Sequence, residues 1–121
     1  MLREIPDPRQ IPGEALRRWF SGSHFDLIVW YEEGGAILGF QLCYGKPHGE
    51  KALTWKQGRG YTHTAVDDGE GRSGKYKETP LLVADGIFDA GRVAELFRGH
   101  SGGIDPVVAA FVLHRILDFP G

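Results

Sequence analysis

Apolar positions recur along this chain with two different periods, and the change between them divides it. Residues 25–44 read FDLIVWYEEGGAILGFQLCY. Two strand-like runs flank Gly34-Gly35, a pair suited to a tight hairpin turn because glycine accepts positive φ. A two-residue loop there sets Tyr31 opposite Leu38, Val29 opposite Phe40 and Leu27 opposite Leu42. Side chains alternate along a strand with a period of two, so all six share one face. The other face receives Ile28, Trp30, Gly39, Gln41 and Cys43, a mixed set.

The run KALTWK extends this pattern as a third strand. Pairing across GKPHGE sets Leu42 beside Leu53 and Phe40 beside Trp55, which continues the apolar face. After the turn QGRG, YTHTAV is a fourth strand, threonine-rich and suited to a sheet edge. The short run PLLVAD adds an edge strand, with its proline at the start where a missing N–H does least harm.

Helical spacing appears at the two ends. Leu16, Trp19 and Phe20 fall at i, i+3 and i+4 behind Pro12, which predicts a short helix over residues 12–20. Asp89 is an N-cap for a helix to about Phe97, with Val93, Leu96 and Phe97 on one stripe, stopped by Gly99 and SGG. Asp105-Pro106 pairs an N-cap with a first-turn proline and opens a last helix to about Asp118. On that helix Val108, Ala109, Val112, Leu113, Ile116, Leu117 and Phe119 cover more than half the circumference. So wide a stripe implies packing on two sides, against the sheet and against either the preceding helix or a second copy of the chain.

The expected fold is therefore α+β: a four- to five-stranded antiparallel meander with one face covered by a short N-terminal helix and two C-terminal helices. All 121 residues form a single domain in this reading, long enough to bury a core without a disulfide or metal. Cys43 stands alone, which with the polar, proline-containing start MLREIPDPRQ points to a cytoplasmic setting. No run approaches the roughly 20 apolar residues of a membrane span. A net charge of −2 argues against a nucleic-acid partner, whose binding rests on neutralising phosphates. No cofactor is implied.

GEGRSGKY, residues 69–76, satisfies both G-x-x-x-x-G-K and G-x-G-x-x-G. A phosphate loop also needs a buried strand before it, a helix opening at GK, and Ser or Thr after the lysine. Here the polar YTHTAVDD precedes it, Tyr76 follows Lys75, and Pro80 leaves no room for a helix. Asp67 and Asp68 would repel a triphosphate, and no βαβ unit surrounds the glycines as a dinucleotide site requires. The stretch reads more simply as a long surface connection of nearly balanced charge. If it is functional, the site lies where the fourth strand enters it. There His63 could act as acid or base while Arg72 and Lys75 hold an anion, or Asp67, Asp68 and Glu70 with His63 hold a divalent metal.

Elsewhere the chemistry is sparse. Cys43 with His48 admits a Cys–His nucleophile, but Cys43 on a strand reads better as a small apolar filler. His114 and Asp118 are one helical turn apart, and His24 and His100 sit among Gly and Ser. No Ser/His/Asp elbow is present and no catalytic residue is assigned. Trp30 beside Ile28, Gln41 and Cys43 would leave an apolar patch on a monomer, which points to a protein partner or a homodimer at that face. GFQLCY, the ALTW run and HTAVDDGE together resemble small uncharacterised proteins of bacteria from Trp19 onward, a resemblance that implies no activity and transfers no functional residue. The expected function is that of a small non-catalytic binding or protein-interaction module, with the anion or metal site as the alternative.

Overall fold

The computed structural model of the chain describes residues 1–6, 10, 12–13, 15–45, 50–65 and 88–120. Its described part is α+β. Six strands, β1 (Arg3–Ile5), β2 (Leu16–Ser21), β3 (Phe25–Tyr31), β4 (Ile37–Tyr44), β5 (Lys51–Lys56) and β6 (Gly60–Ala65), precede two helices, α1 (Ala90–His100) and α2 (Pro106–Leu117). The strands form one antiparallel sheet in chain order, a meander in which every strand pairs with its sequence neighbours.

The β3–β4 hairpin keeps the expected register by an unexpected route. Val29 pairs with Phe40 and Leu27 with Leu42, but Tyr31 pairs with Ile37 rather than Leu38. The loop is one residue longer than a two-residue turn. The Glu32 amide donates to the Ala36 carbonyl and the Gly35 amide to the Glu32 carbonyl, while Gly35 takes φ 96°. A register shift between Trp30 and Tyr31 then absorbs the extra residue. Pairing of β4 with β5 sets Phe40 by Trp55 and Leu42 by Leu53, as the apolar pattern requires.

The N-terminal helix predicted over residues 12–20 is absent; Leu16–Ser21 is strand β2, paired with β3 along six positions. Leu16, Trp19 and Phe20 do fit a helical stripe, but β2 obeys the other period: Arg18 and Phe20 share the face of Val29 and Leu27, and Arg17 and Trp19 lie on the reverse. The alternation is hidden in the sequence because an arginine occupies an inward position. Its compensation comes from far away in the chain. Arg18 Nε and NH2 donate to the two carboxylate oxygens of Glu4 at 2.9 and 2.7 Å, and NH1 donates to Asp105 Oδ2 at 3.1 Å and Tyr31 Oη at 3.3 Å. The sheet thus has six strands, against the four or five expected. The edge strand expected at PLLVAD, residues 80–85, lies outside the described residues.

The helices cover one face of the sheet. Phe20, Leu27, Val29, Phe40, Leu42 and Leu53 are fully buried against Phe97, Val108, Val112 and Ile116. Burying one such side chain is worth about 1.5–3 kcal/mol, so this layer of contacts is a large favourable contribution to folding. Phe25 meets Phe97 edge-on at 5.8 Å between ring centroids, and Phe111 lies edge-on to Trp55 at 5.5 Å. Asp89 caps α1 by accepting from the Arg92 amide, and Asp105 caps α2 by accepting from the Val107 amide at 2.8 Å. Gly99 does not stop α1, which runs on to His100. On α2, Val108, Val112 and Ile116 are buried while Val107 and Leu117 remain exposed, and α1 is its helical neighbour.

Candidate functional site

The reverse face of the sheet is built from three rows of cross-strand neighbours. The central row runs Ile5, Trp19, Ile28, Gln41, Thr54 and Thr62. Arg17, Trp30, Gly39 and Lys56 form the row on one side. Arg3, Ser21, Asp26, Cys43, Ala52 and Thr64 form the row on the other. The two-residue alternation of β3 and β4 gathers Ile28, Trp30, Gln41 and Cys43 on this face, as predicted, and each is half-buried.

Trp19 is the residue that sequence reasoning missed. Assigned to a helix, it was separated from Ile28, whereas β2–β3 pairing makes the two direct cross-strand neighbours. At 40% exposure Trp19 is the most open large apolar side chain of the face. The signal that could have found it is the alternation Arg17, Trp19, Ser21 set against Leu16, Arg18, Phe20.

Charge lies in the outer rows, Arg17 and Lys56 in one and Arg3 with Asp26 in the other. Lys56 Nζ stands 5.0 Å from the centroid of the Trp30 ring, a cation–π contact that places positive charge over that indole. Asp26, two rows away, accepts a 2.6 Å hydrogen bond from Ser21 Oγ. Gly39 is required where it is, since a Cβ there would lie 2.5 Å from the Trp55 carbonyl oxygen. Its missing side chain opens a shallow recess between Trp30, Leu38, Lys56 and Ala15. Ala52 and Thr64 are buried, so the Cys43 end of the face is more closed than the Trp19 end.

The junction proposed from the sequence as a small-ligand site contributes only His63 to the described residues. His63 projects toward the helices rather than into an open cleft. Its ring is stacked on Tyr44 with centroids 5.9 Å apart, Nε2 is hydrogen-bonded to the Tyr44 hydroxyl, and Phe88 lies against it at 5.0 Å. Phe88 in turn meets Phe119, which meets Tyr61, whose hydroxyl donates to the Arg115 carbonyl at 2.9 Å. This aromatic chain closes the core beneath β6. Asp67, Asp68, Glu70, Arg72 and Lys75, like the phosphate-loop spellings at residues 69–76 and His48, lie outside the described residues. Among the described residues no group of three metal-ligating side chains comes together, and no helix is long and apolar enough to cross a membrane.

Electrostatics on the covered face centre on Arg18. The Glu4 carboxylate, with the Tyr31 and Asp105 hydrogen bonds, holds its guanidinium still more firmly protonated than usual. The same contact keeps the Glu4 carboxyl below its usual range, and the Val107 amide followed by Arg18 does so for Asp105. The cluster ties β1, β2 and β3 to the first turn of α2. Its carboxylates are consumed by that structural role.

Comparison with protein-family models, with curated proteins and with solved structures finds no match.

Proposed function

We propose that this protein is a non-catalytic interaction module that docks through the outward face of its sheet, and that the partner is a second copy of the chain. The observation that carries this reading is the central row, where Trp19 and Ile28 stand side by side with no described helix over them. The buried stripes of the helices are spent on the opposite face, with Leu96, Val107 and Leu117 left exposed. Adjacent aromatic and aliphatic side chains at a sheet surface bring large contact area at little entropic cost, which is how interface centres are built.

The rows are compatible with self-association, one outer row holding Arg17 and Lys56 and the other Arg3 with Asp26. A two-fold axis along the central row would lay the Arg17 and Lys56 row of one copy over the Arg3 and Asp26 row of the other, and each central residue over its own mate. Two such sheets would stack about 10 Å apart with their side chains interleaved. The reading makes Ile28→Glu a sensitive probe, because the substitution sets a carboxylate against its own copy. Light scattering on an eluting peak should report a dimer for the wild type and a monomer for Ile28→Glu. A wild-type mass unchanged by that substitution would refute the face.

A further inference from the structure

The sequence left His24 and His100 as isolated loop histidines. In the fold they touch. His24 lies in the short turn joining β2 to β3, where the Gly22 amide donates to the Phe25 carbonyl at 2.9 Å. His100 is the last residue of α1. The two rings lie 4.6 Å apart between centroids, tilted by 41°. Phe25 stands edge-on to the His100 ring at 5.6 Å, and the Leu2 amide donates to the His100 carbonyl at 2.9 Å. Three parts of the chain, the segment leading into β1, the β2–β3 loop and the end of α1, therefore meet at His100, the first through its carbonyl and the second through its ring.

We infer that this pair is an acid-sensitive latch, closed while the His100 imidazole is neutral and loosened when it takes up a proton beside His24. Two cations at this separation repel, with solvent screening part of the repulsion because His24 is exposed and His100 half-buried. Among the described residues, the charged groups that act on His100 include no carboxylate. From the loop it meets His24, from the chain start the α-amino group of Met1, and from Phe25 only an aromatic edge. On its own helix Arg98, two residues back in sequence, pairs with Glu95 at 3.3 Å. Burial first, and then the charge of His24 and of the amino group, disfavour the protonated form of His100. The position at a helix C-terminus works the other way, since a cation there is welcomed by the last carbonyls. Here the Leu2 amide already occupies the His100 carbonyl.

The sign follows from linkage. A base that protonates less readily when folded binds fewer protons than it does when unfolded, so closure weakens as pH falls below the ordinary imidazole value of 6.5. Opening would release the Leu2 amide and the end of α1 before the rest of the core, a local event of the kind hydrogen exchange detects. The latch stands independently of the dimer face, because its partners lie at one edge of the molecule and its readout is local.

The test is an NMR titration of the imidazole carbons combined with hydrogen exchange at the Leu2 amide, corrected for intrinsic rates, between neutral pH and pH 5. The His100 midpoint should lie below that of an unperturbed imidazole and move up in His24→Gln. Protection of the Leu2 amide should fall several-fold on acidification in the wild type. In His100→Phe, which keeps a ring beside Phe25 without a titrating nitrogen, that protection should become independent of pH. A His100 midpoint unmoved by His24→Gln, or an equal acid loss of protection in His100→Phe, would overturn the proposal.

Discussion

The two faces of this sheet are made by the same strands, yet they are finished in opposite ways. On the inward face Phe20, Leu27, Leu42 and Leu53 line up across β2 to β5 and are fully buried beneath the helices. One residue along each strand, the outward row Trp19, Ile28, Gln41 and Thr54 is at most half-buried. Period-two alternation thus writes two surfaces into one set of letters. The inward one is apolar at its centre, with Arg18, Glu4, Lys51 and His63 toward its margins, and the outward one mixes indole, aliphatic, amide and hydroxyl groups. A purely solvated face would carry charge where this one carries Trp19 and Ile28. That contrast motivates the docking assignment.

Paired truncations sharpen the contrast most. Phe40→Ala empties a fully buried site that meets the Trp55 and Phe111 rings, and should cost about 3–5 kcal/mol in urea unfolding. Ile28→Ala, measured on the diluted protein so that association does not contribute, should cost clearly less. Equal losses would mean the outward face is as deeply packed as the inward one.

Gly39→Ala probes where the faces come closest. The added methyl would meet the backbone of β5, which cannot yield as a flexible side chain can. A loss of roughly 1–3 kcal/mol is expected, as for an overpacked core. An unchanged urea midpoint would show that the strands part without cost.

The Arg18 cluster on the inward face has its own signature. Glu4 and Asp105 ionise more readily when folded because Arg18, and for Asp105 above all the Val107 amide, favours their charged forms. Their contribution is complete above the unfolded-state values, near 4.5 and 3.8, and is lost as pH falls through the lower folded ones. Arg18→Ala should lower the melting temperature near neutral pH and flatten its decline in acid. Parallel acid limbs in the two proteins would remove Arg18 from that account. The smallest effect belongs to Trp19→Ser, whose monomer stability should stay within about 0.5 kcal/mol of wild type while association is lost.

What the sequence conveyed followed the range of the interactions involved. The hairpin around Gly35, the β4–β5 register and both helix caps depend on residues close together in the chain, and all were legible. A glycine pair and an alternating pattern even led to the correct pairing of Val29 with Phe40, although the turn is longer than assumed, since the irregularity at Trp30 compensates for it. Strand β2 was illegible because its inward arginine is neutralised by Glu4, 14 positions away, and Asp105, 87 away. No local window contains those partners. The candidate face was therefore half visible: Ile28, Trp30, Gln41 and Cys43 came from the hairpin, whereas Trp19 was lost with β2. The His24–His100 contact was invisible for the same reason, since it joins a loop to a helix end.

The docking claim meets its most direct test in sedimentation equilibrium of the wild-type chain over a wide concentration range. The account predicts a species of twice the 13.4 kDa chain mass that dissociates on dilution and is abolished by Trp19→Ser. A single-chain mass at every concentration would contradict it.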